Sequence, residues 1–203
     1  MRLVFWVGVY DGVGDTITNP CYCTWKRMLQ RCYSEKFHIK NPTYKGHFVC
    51  KEWLSYSAFE AWMKTQEWQG FELDKDLRLM GNTEYCPEAC IFVPSRINSL
   101  LQDCGSRRGD LPLGVHLHKV PGTVLRKPYR ARTSSLTGMR HLGYFATPEQ
   151  AHEAWVEGKS VAILETLEWW KYDPQVAHSF DEMAYNSLKT FVENKLGFKK
   201  ELV

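Results

Sequence analysis

The chain has 203 residues, 44% of them hydrophobic and 14% aromatic, with a formal net charge of +3. That is bulk for one or two packed domains and argues against a disordered chain; the total charge excludes a polycation, so an acidic partner has to be argued from local clusters. No apolar run approaches the ~18 residues of a membrane-spanning helix.

The opening MRLVFWVGVY reads as a strand rather than a secretory signal. Residues 11–20 (DGVGDTITNP) read as a loop. Residues 22–33 have helical spacing, with Trp25, Met28, Leu29, Cys32 and Tyr33 on one face and Lys26, Arg27, Gln30 and Arg31 on the other. Residues 34–46 read as a loop and 47–53 (HFVCKEW) as a short strand. Ser57-Ala58-Phe59-Glu60 predicts a capping box that opens a helix to about Gln66 and buries Phe59, Trp62 and Met63. A strand over 73–79, a turn at Gly81-Asn82, a strand over 91–93 and a short helix carrying Asn98 come next.

Three more strands are predicted over 115–119, 128–133 and 140–145, with Gly122 and Thr137-Gly138 at the turns. Thr147-Pro148-Glu149-Gln150 then supplies a capping hydroxyl, a proline at the first helical position and Gln at N3. Ala151, Ala154, Trp155, Gly158 and Ala162 recur at helical spacing and would lie on the sheet. Trp169 and Trp170 are expected to pack that helix on the C-terminal segment, and Asp173-Pro174 to start a last helix. Its apolar face (Val176, Phe180, Met183, Ala184, Leu188, Phe191, Val192) either docks on the rest of the chain or joins two copies as a homodimer.

Charge separates the parts. From Ser106 to His141 there are eight Lys/Arg (Arg107, Arg108, Lys119, Arg126, Lys127, Arg130, Arg132, Arg140) against one acid, Asp110. After His141 there are ten acids against six Lys/Arg, so the tail is not expected to touch DNA. Tyr129 and Ala131 alternate with Arg130 and Arg132, which predicts one apolar and one basic strand face. A helix on the apolar face would leave a basic sheet free to enter a DNA major groove. RNA is the weaker fit, because its A-form major groove is too narrow for a rigid sheet.

GVHLHK, KPYRAR and HLGYFATPEQAHEAW together resemble the APETALA2-type DNA-binding domain over residues 114–165. By that resemblance His116, His118, Arg130, Arg132, Ser134, His141 and Tyr144 face DNA, while the local charge count adds Lys119, Arg126, Lys127 and Arg140 as cations for the phosphates. The plant members of that family carry more Arg and Trp where this chain has histidine.

Residues 72–98 (ELDKDLRLMGNTEYCPEACIFVPSRIN) read as strand, loop, strand, helix with polar residues at the junctions. The segment resembles the HNH nuclease motif, a ββα-metal unit in which a base and a helix ligand flank one divalent cation. The resemblance implies Mg²⁺ or Mn²⁺ at Asp74 and Asn98, with Lys75, Asp76 and Asn82 completing the site. Where that motif places a general-base histidine this chain has Lys75, and its first loop is longer. Lysine is ordinarily charged at neutral pH, so Asp76 or His47 would have to accept the proton. On the same alignment Lys75→His restores cleavage; alternatively Lys75 points to solvent from an ordinary strand.

Residues 22–98 are also similar to phage proteins described as HNH-type or homing-endonuclease-like, which often precede an APETALA2-type domain. Two readings stay open: a metal-dependent DNA endonuclease, or a DNA-binding regulator or scaffold whose nuclease fold has lost catalysis. Seven cysteines without disulfide-scaffold spacing predict reduced thiols and an intracellular setting, the host cytoplasm for a phage protein. Cys50, Cys86 and Cys90 with Cys21, Cys23 or His47 are poorer than paired CxxC knuckles, so zinc is not expected. The expected fold is α+β: an HNH-like domain over 1–105 with flanking helices, a three-stranded antiparallel sheet packed on one helix over 112–166, and a C-terminal helix over 167–203.

Overall fold

The computed structural model describes residues 2–101 and 109–197, so Arg107 and Arg108 lie outside the described residues. The fold is α+β and divides into two compact units, Met1–Pro94 with Asp181–Ala184, and Ser95–Phe180 with Tyr185–Val203. Among the described residues no helix is long and apolar enough to cross a membrane.

The first unit opens with an antiparallel hairpin, β1 (Arg2–Val4) and β2 (Gly8–Tyr10), where a single strand was expected. The turn uses Phe5 and Trp6 at positive φ (52° and 68°), positions that ordinarily carry Gly or Asn and so gave no turn signal. Helix α1 (Pro20–Tyr33) is capped by the Asn19 side chain and presents Trp25, Met28 and Leu29 to the core. Asn19 accepts from the Cys21 and Tyr22 amides, which starts the helix two residues early. The segment read as a loop holds α2 (Glu35–Lys40), capped by Ser34, and a 3-10 turn at Pro42–Tyr44.

Strand β3 is only Phe48–Val49, and α3 runs Tyr56–Met63. Ser55 rather than Ser57 caps α3: Asp11 takes the Ser57 amide and hydroxyl, both at 2.8 Å, leaving the Ser55 hydroxyl to accept from Ala58. Trp25, Trp53, Tyr56 and Phe59 are almost wholly buried, and Trp25 Nε1 donates to the Trp53 carbonyl at 2.7 Å. The indole is thereby buried without leaving its N–H unpaired.

Two short pairs extend this core. Strand β4 (Glu72–Asp74) lies antiparallel to β6 (Ile91–Val93) with Leu73 opposite Phe92, and β5 (Glu84–Tyr85) lies parallel to β3. The strand expected over 73–79 stops at Asp74, because the Asp74 carboxylate captures the Asp76 and Leu77 amides and turns the chain. The loop after it is tied down by Arg78, which bonds Asp181 through Nε and Nη2 and the Glu88 and Cys90 carbonyls through Nη1.

In the second unit, α4 (Ser95–Asn98) is followed by the antiparallel sheet β7 (Val115–Leu117), β8 (Tyr129–Ser135) and β9 (Gly138–Phe145), in that order. β7 is shorter than expected, while β8 and β9 run on to the Leu136-Thr137 turn. Helix α5 (Pro148–Tyr172) starts where the sequence places it, with the Thr147 hydroxyl accepting from the Gln150 amide. Val115, Ala131 and Ala151 form the heart of this core, with Tyr129, Leu142, Phe145, Ala154 and Trp155 packed around them. Two glycines permit close approach: a Cβ on Gly158 would meet Leu142 at 2.6 Å, and one on Gly114 would overlap the Trp155 ring.

Asp173 closes α5 rather than opening the last helix, and α6 begins only at Glu182. Asp181 caps it, accepting from the Ala184 amide at 2.8 Å. Leu188 and Val192 are buried within the single chain and Tyr185 Oη donates to Glu168 of α5, whereas Met183, expected on the apolar face, is exposed.

Candidate nucleic-acid interface and carboxylate cluster

Strand alternation and register assemble the basic face. Ala131 and Thr133 of β8 are buried toward α5, so Arg130, Arg132 and Ser134 point the other way. Residues directly opposite in an antiparallel pair share a face. His116, Arg130 and Tyr144 therefore form one cross-sheet row, Arg132 and His141 a second, and Ser134 and Met139 a third. A bulge between Ala131 and Arg132 keeps His141 in line. The Tyr144 ring lies 5.1 Å from His118 and 4.9 Å from His141, which joins the rows into one surface.

Among the described residues, Arg130 Nε is buried without a hydrogen-bond partner, and no ion pair engages Arg130 or Arg132. Burial first, then the charges of Arg132 and Arg130, hold the His116 pKa below the ordinary histidine value. Lys119, Arg126 and Lys127 are exposed on the connection between β7 and β8.

Arg140 is placed differently from the other cations. It lies opposite Thr133, on the helix side, and its Nη2 bonds the Glu165 carboxylate of α5 at 2.9 and 3.2 Å. The basic face thus loses one of its expected members to an intramolecular ion pair. Met139 joins it instead, exposed beside Ser134, and nothing in its side chain signalled that position.

The second cluster forms where β4 ends. Asp74 Oδ1 accepts from the Asp76 and Leu77 amides, both at 2.8 Å. Burial first and the Asp76 charge second push the Asp74 pKa up to about 6. The Asp76 carboxylate thus lies close enough to Asp74 to add to the effect of burial, while Lys75 offsets part of the charge of Asp76. Lys75, for which a solvent-facing position was the alternative, is 5% exposed. Its ammonium donates to Asp76 Oδ2 at 3.0 Å and to the Asn82 carbonyl at 2.7 Å, and it lies 5.8 Å from the centre of the Tyr85 ring. Asn82 closes the loop, with Nδ2 donating to the Lys75 and Glu84 carbonyls and Oδ1 accepting from the Glu84 amide.

Asp74, Lys75, Asp76 and Asn82 are therefore together in the first unit, while Asn98 ends α4 in the second. Tyr85 and Arg31, which no sequence motif singled out, back this cluster: Arg31 Nη1 donates to Tyr85 Oη at 3.5 Å. The six described cysteines are free thiols, and burial raises the pKa of Cys50, Cys86 and Cys90. Among the described residues no group of three or more His, Cys, Asp or Glu side chains gathers at metal-binding spacing.

Compared with models of known families, curated proteins and solved structures, the chain matches none.

Proposed function

We propose that the chain binds double-stranded DNA through the β7–β8–β9 face and cleaves or nicks it at the Asp74–Asp76 cluster with a divalent metal. The observation that carries the binding reading is the sheet register. It gathers His116, Arg130, Arg132, Ser134, His141 and Tyr144 on one face, while α5 covers the other. Arginine beside short polar and aromatic side chains suits a groove: guanidinium groups hold phosphates or guanine edges, and Ser, His and Tyr bond base edges or sugar. The sequence resemblance to APETALA2-type domains supports the same orientation, and Lys119, Arg126 and Lys127 then lie at the rim for phosphate contact.

The cleavage reading rests on the two carboxylates. Hard oxygen donors that repel one another suit Mg²⁺ or Mn²⁺, which commonly takes only one or two carboxylates and completes its shell with water and phosphate. Asp74 and Asp76 would hold it. When bound, the metal supplies charge that offsets the leaving oxygen of a phosphodiester. Lys75 places a second positive charge in the cluster and holds Asp76 in position. The β4–loop–β6–helix order supports a ββα-metal unit.

Supercoiled plasmid incubated with Mg²⁺ or Mn²⁺ tests both parts when a gel-shift titration runs alongside. Cutting that disappears in Asp74→Ala and Asp76→Ala, with binding retained, is the expected result. Intact plasmid with normal binding would instead favour a DNA-binding scaffold, and absence of binding would remove the reading altogether.

A further inference from the structure

Helix α1 carries Thr24, Arg27 and Arg31 on one stripe at helical spacing. Beside that stripe opens a cavity of about 250 Å³, walled by these three side chains and by Phe71, Glu72 and Leu73 where β4 begins. Every one of these residues belongs to the first unit. Two guanidiniums there stand against one carboxylate, so the wall carries net positive charge. Like charges one helical turn apart repel, and an anion placed between Arg27 and Arg31 removes that repulsion.

The cations are available for such an anion. Arg27 is exposed and, among the described residues, has neither a hydrogen-bond nor an ion-pair partner. Arg31 is half-buried and set from behind: its Nη1 donates to Tyr85 Oη at 3.5 Å, and its Cζ lies 5.8 Å from the centre of the Tyr44 ring. Those contacts fix the plane of the guanidinium while using little of its donor capacity. The fork of an arginine matches two phosphate oxygens, and a threonine hydroxyl such as that of Thr24 bonds phosphate as well. Phe71 and Leu73 add an apolar wall on which a deoxyribose can rest.

Tyr85 joins this cavity to the carboxylate cluster. Its hydroxyl takes Arg31, and its ring centre lies 5.8 Å from the Lys75 ammonium that holds Asp76. Glu72 of the cavity wall and Asp74 of the cluster alternate with Leu73 on β4, about 6–7 Å apart at the rise of a strand. We infer that Thr24, Arg27 and Arg31 form a phosphate pocket that holds a backbone phosphate of the DNA strand passing the Asp74–Asp76 cluster. The inference rests on the reading above and deepens it: the strand is gripped by α1, in the same unit as the carboxylates.

The test uses the full chain with Arg27→Gln and Arg27→Lys, changes at an exposed side chain that leave the core untouched. In amide NMR spectra, sodium phosphate should shift the signals of residues Thr24 to Arg31 where sodium chloride at equal ionic strength does not, and Arg27→Gln should abolish the shift. In gel-shift titrations without divalent metal, Arg27→Gln should lower DNA affinity about three- to tenfold and flatten the dependence of log affinity on log salt by about 0.9, the loss of one phosphate contact. Arg27→Lys keeps the charge and should keep the slope. Amide signals that do not respond to phosphate overturn the pocket. A phosphate response with an Arg27→Gln slope equal to wild type leaves a site for free anions and overturns the assignment to DNA. Plasmid left intact by the wild-type chain with either metal, while both arms give the expected result, removes the cleavage reading and upholds the strand contact, so the two failures are distinguishable.

Discussion

Lys75 and Asn82 hold each other reciprocally: Lys75 Nζ donates to the Asn82 carbonyl and Asn82 Nδ2 donates to the Lys75 carbonyl, each at 2.7 Å. The pair closes the loop between β4 and β5 and sets the position of Asp76. The cation is therefore part of the frame that holds the carboxylates.

That relationship gives Lys75→His, expected on the motif alignment to restore cleavage, a cost in stability. An imidazole is shorter than the lysine stem and cannot reach both Asp76 and the Asn82 carbonyl. Lys75→His should lower stability by about 1–2 kcal/mol, the cost of leaving a partly buried carbonyl without its donor. Asp76 is half-exposed, so its lost ion pair adds little. Urea denaturation reads this directly; an unchanged midpoint would show that the clamp contributes nothing.

Arg130 and Arg132 are the cations the sheet commits to one face, so their removal should act on DNA binding before anything else. With both changed to Ala, the dependence of log affinity on log salt should flatten by about 0.9 for each phosphate no longer neutralised. If both touch phosphate the slope falls by about two; if one reads a base edge the slope falls by about one and sequence preference relaxes. Gel-shift titrations at several salt concentrations measure it, and a slope equal to wild type would remove the sheet from the interface. Arg140→Ala is the internal comparison: with its guanidinium on Glu165, it should change the slope least of the three.

Gly114 tests the packing beneath that face. Its φ is +75°, and a Cβ there would overlap the Trp155 ring, so both backbone and packing exclude a side chain. Gly114→Ala should cost on the order of 2–4 kcal/mol and lower DNA affinity only through unfolding. A thermal midpoint within experimental error of wild type would refute the close approach of β7 to α5.

What was legible in the sequence came from local signals. The α5 start at Thr147-Pro148, the Ala151–Ala162 stripe and the alternation of β8 all depend on residues within a turn or two of each other. What was not legible depends on distant partners or on side chains used against type. Phe5 and Trp6 adopt positive φ without being glycine, and Asp11 takes Ser57 across 46 residues so that Ser55 becomes the cap. Asp74 ends its own strand by binding the amides ahead of it, although its neighbours alternate as a strand should. In the carboxylate cluster the residue names were legible, whereas the burial of Lys75 and its bond to the Asn82 carbonyl depend on how the chain folds back after β4. The reach of Arg140 to α5 likewise depends on which face it occupies, and the β9 bulge sets that.

His116 makes the interface sensitive to pH with a sign that can be stated. In the free chain its pKa lies below the ordinary histidine value near 6.5, through burial and through Arg132 and Arg130 beside it. A DNA phosphate over this row adds negative charge and draws the pKa back up, so the complex binds more protons than its parts. Affinity should therefore rise as pH falls through the interval between the two values, by at most about a decade per pH unit for this one group. His118 and His141 lie on the same surface, so the measurement is the difference in slope between wild type and His116→Gln rather than the wild-type slope alone. Stability of the free chain moves oppositely. The unfolded state takes the proton more readily than the folded one, and His116 therefore costs stability as pH falls below its unfolded value. Acidification that tightens DNA binding while weakening the fold would identify phosphate at this histidine. Equal pH slopes for wild type and His116→Gln would place the DNA elsewhere on the sheet.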